Sequence, residues 1–169
     1  MTNKLLFFVL LALCFSGCDM LETHPYDVHI TGERELTNKN IQLIENKMQS
    51  KKTIRFAMIS DTQRWYNSTE DVVKALNARG DIDFVIHGGD QSDFGVTKEF
   101  IWMRDIFNKF QMPYVCLLGN HDCLGTGEDA YRAIYGDPNF AFTAGNVRFI
   151  CLNTNAMEYD YSEPVPDFN

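Results

Sequence analysis

The 169-residue chain carries 23 Asp and Glu against 15 Lys and Arg, for a formal net charge of −8. An acidic balance with no cluster of Lys and Arg gives no sign of a nucleic-acid surface. Five cysteines are present, two of them within the first eighteen residues, and the remaining Cys116, Cys123 and Cys151 have no CxxC spacing, so neither a disulfide framework nor a zinc ribbon is indicated.

Residues 1–18, "MTNKLLFFVLLALCFSGC", place one positive charge at Lys4 before an apolar run from Leu5 to Phe15 and then small residues. A spanning helix needs about 20 apolar residues, so this is an export signal rather than a membrane segment. The ending "FSGC" resembles the lipobox of bacterial lipoproteins, with Gly17 in the small position before Cys18. Cys18 is therefore the expected lipidation site, and the expected location is the bacterial cell envelope, with the chain held to the membrane through that lipid. Ordinary secretion, with Cys18 merely inside the signal, is the alternative.

Residues 19–52 read as a polar tether with a short strand near "YDVHI" and a helix from about Thr37, where Ile41, Ile44 and Met48 share one face. A regular domain is expected over 53–169. "TIRFAMIS" is a β-rich run, followed by a helix "STEDVVKALNAR" with Ser68 or Thr69 as its cap. "DFVIHGG" is a second buried run, and "TKEFIWMRDIFNKF" a helix with Phe100, Met103, Phe107 and Phe110 on its apolar side. "PYVCLL" is a third run, "GEDAYRAIY" a third helix, and "FAFTAGNVRFICLN" a hairpin turning at Gly145 and Asn146. Strands alternating with helices predict parallel βαβ units and an α/β fold.

In a parallel sheet every βα loop emerges at the carboxyl edge of the strands, which is where ligand chemistry collects. Each of the three runs ends in oxygen or nitrogen donors: "SDTQ", then "GGDQSD", then "GNHD". Asp61, Gln63, Asp90, Asn120 and His121 are thereby expected on one edge. Turn formation and helix capping would account for any one of these residues, but not easily for three loops at once. Cys116 and Cys151 fall in apolar runs and read as core residues. His87 reads as a packed or hydrogen-bonded residue at a strand end.

The ordered set "SDTQ", "GGDQSDFG" and "LLGNHD" resembles the motifs of the calcineurin-like metallophosphoesterase family over about Ile54 to Asn155. The resemblance implies an α/β sandwich and two divalent metal ions that activate water for in-line attack on a phosphoester. Asp61 and Gln63 would hold the first ion, Asp90 would bridge both, and Asn120 would hold the second. His121 would protonate the leaving oxygen or hold the phosphoryl group, oriented by Asp93. Asp122 reads instead as a ligand of the backbone or of the next helix's N-terminus. The implied substrate is a small phosphoester, either a monoester or a diester.

The chain departs from that pattern in three places. Gln63 stands where His is commoner, which favours Mn²⁺ or Mg²⁺ over Zn²⁺, with Fe also compatible. Phe94 follows Asp93 where protein Ser/Thr phosphatases of the family carry an Arg, which makes a phosphoprotein substrate less fitting. His121 is the last histidine in the chain, so the family's further lone His and G-H-x-H segment are not found after it. The expectation is an N-terminal part of a longer enzyme, incomplete at its C-terminus, with about one sheet and half the site. Such a part would be weakly active or inactive, and an uncovered apolar face would invite association. A non-catalytic envelope lipoprotein carrying a remnant domain is the competing expectation.

Overall fold

The computed structural model describes residues 24–155 and 157. The signal segment with Cys18 lies outside these residues, as does the terminal "EPVPDFN". Along the described chain run α1 (Leu36–Met48), β1 (Phe56–Ile59), α2 (Tyr66–Arg79), β2 (Phe84–His87), α3 (Thr97–Phe107), β3 (Tyr114–Cys116), a 3-10 turn (His121–Cys123), α4 (Gly127–Tyr135), β4 (Phe140–Ala144) and β5 (Val147–Cys151). The fold is α/β, as the alternation of runs predicts. Among the described residues no helix is long and apolar enough to cross a membrane.

Strands β1, β2 and β3 form one parallel sheet in that order. Its register aligns Ile59 with His87, and His87 with Cys116. The three strands therefore stop level with one another, and their loops leave the sheet side by side. This register, more than any single residue, positions the candidate site.

All four residues of β2 are buried, so its side chains alternate between two packed faces. Val85 looks toward Val73 of α2, Phe100, Met103 and Phe107 of α3, and Tyr131 and Ile134 of α4. Each such fully buried apolar side chain stabilises the fold by about 1.5–3 kcal/mol. Phe84 and Ile86 look the other way, toward Ile44 and Met48 of α1 and toward Phe140 and Phe142 of the hairpin. Strands β4 and β5 pair antiparallel, with Ala144 opposite Val147. The two-residue turn between them holds Gly145 at φ +56, a conformation that glycine adopts without a steric penalty.

Three local expectations are corrected. No strand forms at "YDVHI". Residues 24–52 are also no polar tether: Ile30, Leu36, Ile44 and Met48 are core residues, and the Arg104 guanidinium, itself buried, donates to the Thr31 and Glu33 carbonyls. Helix α2 begins before Ser68 and Thr69, with Trp65 at its N-cap position and no side-chain cap. The Thr69 hydroxyl donates back to the Trp65 carbonyl instead, at 2.8 Å. That bond across four residues competes with capping.

Some apolar side chains of β1 and β5 stay open to solvent. Phe56 and Met58 of β1 and Val147 and Ile150 of β5 are all exposed, although Phe56 is in contact with Phe84 (centroids 5.5 Å apart) and Phe149 (5.4 Å).

Candidate active site at the carboxyl edge of the sheet

Three loops build the site, one after each parallel strand. The first and second are joined by backbone hydrogen bonds: Asp61 N–H donates to the Gly89 carbonyl at 3.1 Å, and Gln63 N–H donates to the Asp90 carbonyl at 3.2 Å. This stitching forces unusual backbone. Asp61 has φ +57 and Asp90 φ +61, left-handed values that cost a non-glycine residue about 1–3 kcal/mol and persist where the surroundings over-determine them.

The second and third loops are joined through one carboxylate. Asp122 is fully buried and accepts N–H groups from Asp90 (2.9 Å), Gln91 (2.9 Å), Ser92 (2.8 Å) and Gly119 (3.0 Å). Burial pushes its pKa up to about 7, the Asp90 charge acts in the same direction, and the backbone donors pull it back. The two loops also approach too closely for side chains. A Cβ on Gly119 would lie 2.1 Å from Asp90 Oδ1, and one on Gly89 would lie 2.7 Å from Gly119 Cα.

His121 is held at both its backbone and its ring. Its N–H donates to Asp90 Oδ1 at 3.0 Å. Its Nδ1 is 3.0 Å from the Asp93 carbonyl, an acceptor only, so Nδ1 carries the proton and Nε2 is left for other work. The Asp93 carbonyl, followed by the Asp90, Asp93 and Asp122 charges, holds the pKa of this imidazole above its ordinary value. The buried Asp93 carboxylate lies 3.7 Å from Nδ1 through Oδ1. On its far side, Arg64 Nε is 3.1 Å from Oδ2. That second contact is an ion pair only, because Oδ2 receives no aligned hydrogen bond.

The structure thus brings Asp61, Gln63, Asp90, Asp93, Asn120 and His121 to one edge. Asp61 and Asn120 are exposed there, Asp90 is buried, and Gln63 is half-buried. Among the described residues no three His, Cys, Asp or Glu side chains gather as a metal cluster, so a cation here would draw on the amides of Gln63 and Asn120 as well as on the two carboxylates. One observation tests that fit. Gln63 Oε1 is buried without a hydrogen-bond partner, and an orphaned oxygen beside the Asp61 and Asp90 carboxylates and the Asn120 amide suits a hard, oxygen-binding dication.

A family model for calcineurin-like phosphoesterases matches residues 54–165, more than half of the chain. The chain belongs to the calcineurin-like phosphoesterase family. Among curated proteins none matches it. Phosphoesterases of this family typically bind divalent metals, which agrees with the oxygen-rich donor set.

Two residues of the loops at this edge carry no signal in the sequence. Arg64 belongs to no recognisable pattern, and its contact with Asp93 spans two loops. Gln91 is fully buried with neither amide atom partnered, and nothing in "GGDQSD" marks it as different from a solvated loop residue. His87 is packed as expected: it is buried, with Nε2 2.9 Å from the Thr62 hydroxyl, and it accepts the Gly89 N–H at Nδ1 at 3.2 Å.

Proposed function

We propose that this domain hydrolyses small phosphoesters, with Asp61, Gln63, Asp90 and Asn120 as the metal-holding set and His121 as the proton donor. The observation that carries the reading is the level register of the three strands, which delivers the donors of three separate loops to one edge. When bound, divalent ions supply Lewis-acid charge to the phosphoryl oxygens and lower the pKa of water. Mn²⁺ or Mg²⁺ suits these oxygen donors better than Zn²⁺. Asp90 lies between the other ligands in the stitched loops and is the bridging residue of the set. His121, with Nδ1 committed to the Asp93 carbonyl, which also raises its pKa, leaves Nε2 as the atom that would pass a proton to the leaving oxygen.

The wider reading places the protein at a bacterial cell envelope, exported by residues 1–18 and lipid-anchored at Cys18. Lipoprotein modification adds several acyl chains, enough for stable attachment. The exposed Phe56 and Met58 of β1 give such a protein an apolar surface for association. One observation favours a weaker version of the reading. The donors that the described residues bring to this edge are two carboxylates and two neutral amides, a set that would hold metal loosely and turn over slowly. In the limit of no turnover, the domain is a metal-binding remnant on an envelope lipoprotein.

The test is hydrolysis of p-nitrophenyl phosphate and bis-p-nitrophenyl phosphate by the full chain with Mn²⁺, beside Asp90→Asn. Low but Mn²⁺-dependent turnover, lost in Asp90→Asn, is expected. Metal-independent turnover, or turnover unchanged in the variant, would refute the assignment. Fractionation of Cys18→Ala should move the protein from membrane to soluble fractions. Release by Cys14→Ala instead would move the lipid to the other cysteine.

A further inference from the structure

Arg64 follows Gln63 directly, and the Gln63 N–H is bonded to the Asp90 carbonyl, so this arginine starts beside the centre of the site. Its backbone is at φ +64, a left-handed conformation that a non-glycine residue keeps only at a cost in free energy. Its one charged contact, Nε to Asp93 Oδ2 at 3.1 Å, involves a side chain that is 70% exposed. An ion pair with so exposed an arm contributes little to stability. The contact alone therefore gives little return for the left-handed backbone at this residue.

Asp93 is buried and meets the guanidinium on its Nε side, while the arginine side chain as a whole is mostly exposed. The same residue holds the His121 ring through its carbonyl. One aspartate thus sets both an imidazole and a planar cation at the same rim. Among the described residues no other Lys or Arg pairs with a residue of the three loops.

We propose that Arg64 binds the phosphoryl group of the substrate and makes the site selective for phosphomonoesters over phosphodiesters. This rests on the phosphoesterase reading above. A guanidinium fork takes two oxygens of one phosphorus in parallel. A monoester near neutral pH carries a charge of about −1.5 to −2 and three terminal oxygens, so it can satisfy the fork and still offer an oxygen to the Asp90 side of the site. A diester has one charge and two terminal oxygens, and the fork would consume both.

The experiment is a calorimetric titration of the full chain, with Mg²⁺ present, using phenyl phosphate and diphenyl phosphate as probes. Wild type, Arg64→Gln and Arg64→Lys are compared, and hydrolysis of the two p-nitrophenyl esters is measured in parallel. Wild type should prefer phenyl phosphate. Arg64→Gln should weaken that probe by about tenfold or more and change diphenyl phosphate by no more than about twofold. Arg64→Lys should keep part of the affinity, since it retains the charge but not the fork. Equal loss of both probes, loss of neither, or a wild type without preference would each overturn the proposal. If neither ester is hydrolysed but the binding preference depends on Arg64, the catalytic reading fails and the Arg64 assignment stands. Mn²⁺-dependent hydrolysis of both esters that is indifferent to Arg64→Gln has the opposite meaning.

Discussion

Asp122 and Asp90 are bound to each other's loops in a closed exchange: the Asp122 carboxylate accepts the Asp90 N–H at 2.9 Å, and the Asp90 carboxylate accepts the N–H of His121, the neighbour of Asp122, at 3.0 Å. Asp122 is thus a positioning residue for the candidate metal ligand. Asp122→Asn would turn an amide N–H toward backbone donors and leave buried groups unpaired. The expected cost is about 1–3 kcal/mol of stability, read by urea unfolding, and a fall in Mn²⁺ affinity of about 10–100-fold, read by calorimetry. A variant with wild-type values in both measurements would remove Asp122 from this role.

Gly119→Ala tests the closeness of the second and third loops. Its Cβ would fall 2.3 Å from Asp90 N and 2.1 Å from Asp90 Oδ1, so loop and carboxylate must part. Loss of Mn²⁺ binding is expected while the far-UV circular dichroism of the sheet and helices is retained. Gly80→Ala is the control. A Cβ there meets nothing within 4 Å, and its φ of +67 predicts only a loss of about 1 kcal/mol, with metal binding intact.

His87 gives a pH prediction. Burial lowers its pKa to about 3, against 6.5 for an ordinary imidazole. The unfolded chain therefore binds a proton that the folded chain refuses as pH falls through the interval between those values. Stability contributed by neutral His87 is full above about pH 6.5 and falls below it, at up to about 1.4 kcal/mol per pH unit. His87→Gln keeps a side chain that can meet the Thr62 hydroxyl but cannot titrate. Between pH 6.5 and about 5, before most carboxylates protonate, urea midpoints of the variant should fall less steeply than those of the wild type. Parallel slopes would show that His87 is not the source.

The acid role proposed for His121 predicts a dependence on the leaving group. p-Nitrophenolate departs with little help, whereas an alkoxide needs a proton. His121→Asn should therefore lower kcat on an alkyl phosphate by about 10²–10⁴-fold, the range of general acid catalysis, and lower it less on p-nitrophenyl phosphate. Equal losses on the two substrates would point to phosphate binding rather than proton transfer.

The parts of this molecule that could be read from the sequence are those governed by short-range pattern. The apolar runs ending at Ile59, His87 and Cys116, and the hairpin turning at Gly145, follow from residues that are neighbours in the chain. Aspartate at the strand ends was visible for the same reason. What could not be read depends on contacts between distant segments. The packing of 24–52 needs Arg104, about seventy residues away, and the early start of α2 follows from a Thr69 hydroxyl that bonds Trp65 rather than capping. Arg64 and Gln91 are ordinary loop residues until two loops meet. The four donors gathered by Asp122 become visible only when 90–92 and 119 are seen at once, although its preference for backbone partners over catalysis could be read beforehand.

The bonds from Asp122 to the 90–92 loop span 30 to 32 residues, and they can close only after the crossover through α3 has brought β3 beside β2. Formation of the site is therefore a late event of folding, since parallel pairings carry a large loop-closure entropy before any contact repays it. Unfolded or half-paired chains present the same carboxylates and amides as scattered, solvated groups with no common focus. A cation that recognises the assembled edge then binds the native chain alone and stabilises it by mass action, in proportion to the logarithm of its concentration above Kd. Metal availability would in that way govern how long the chain persists folded, apart from any effect on its chemistry.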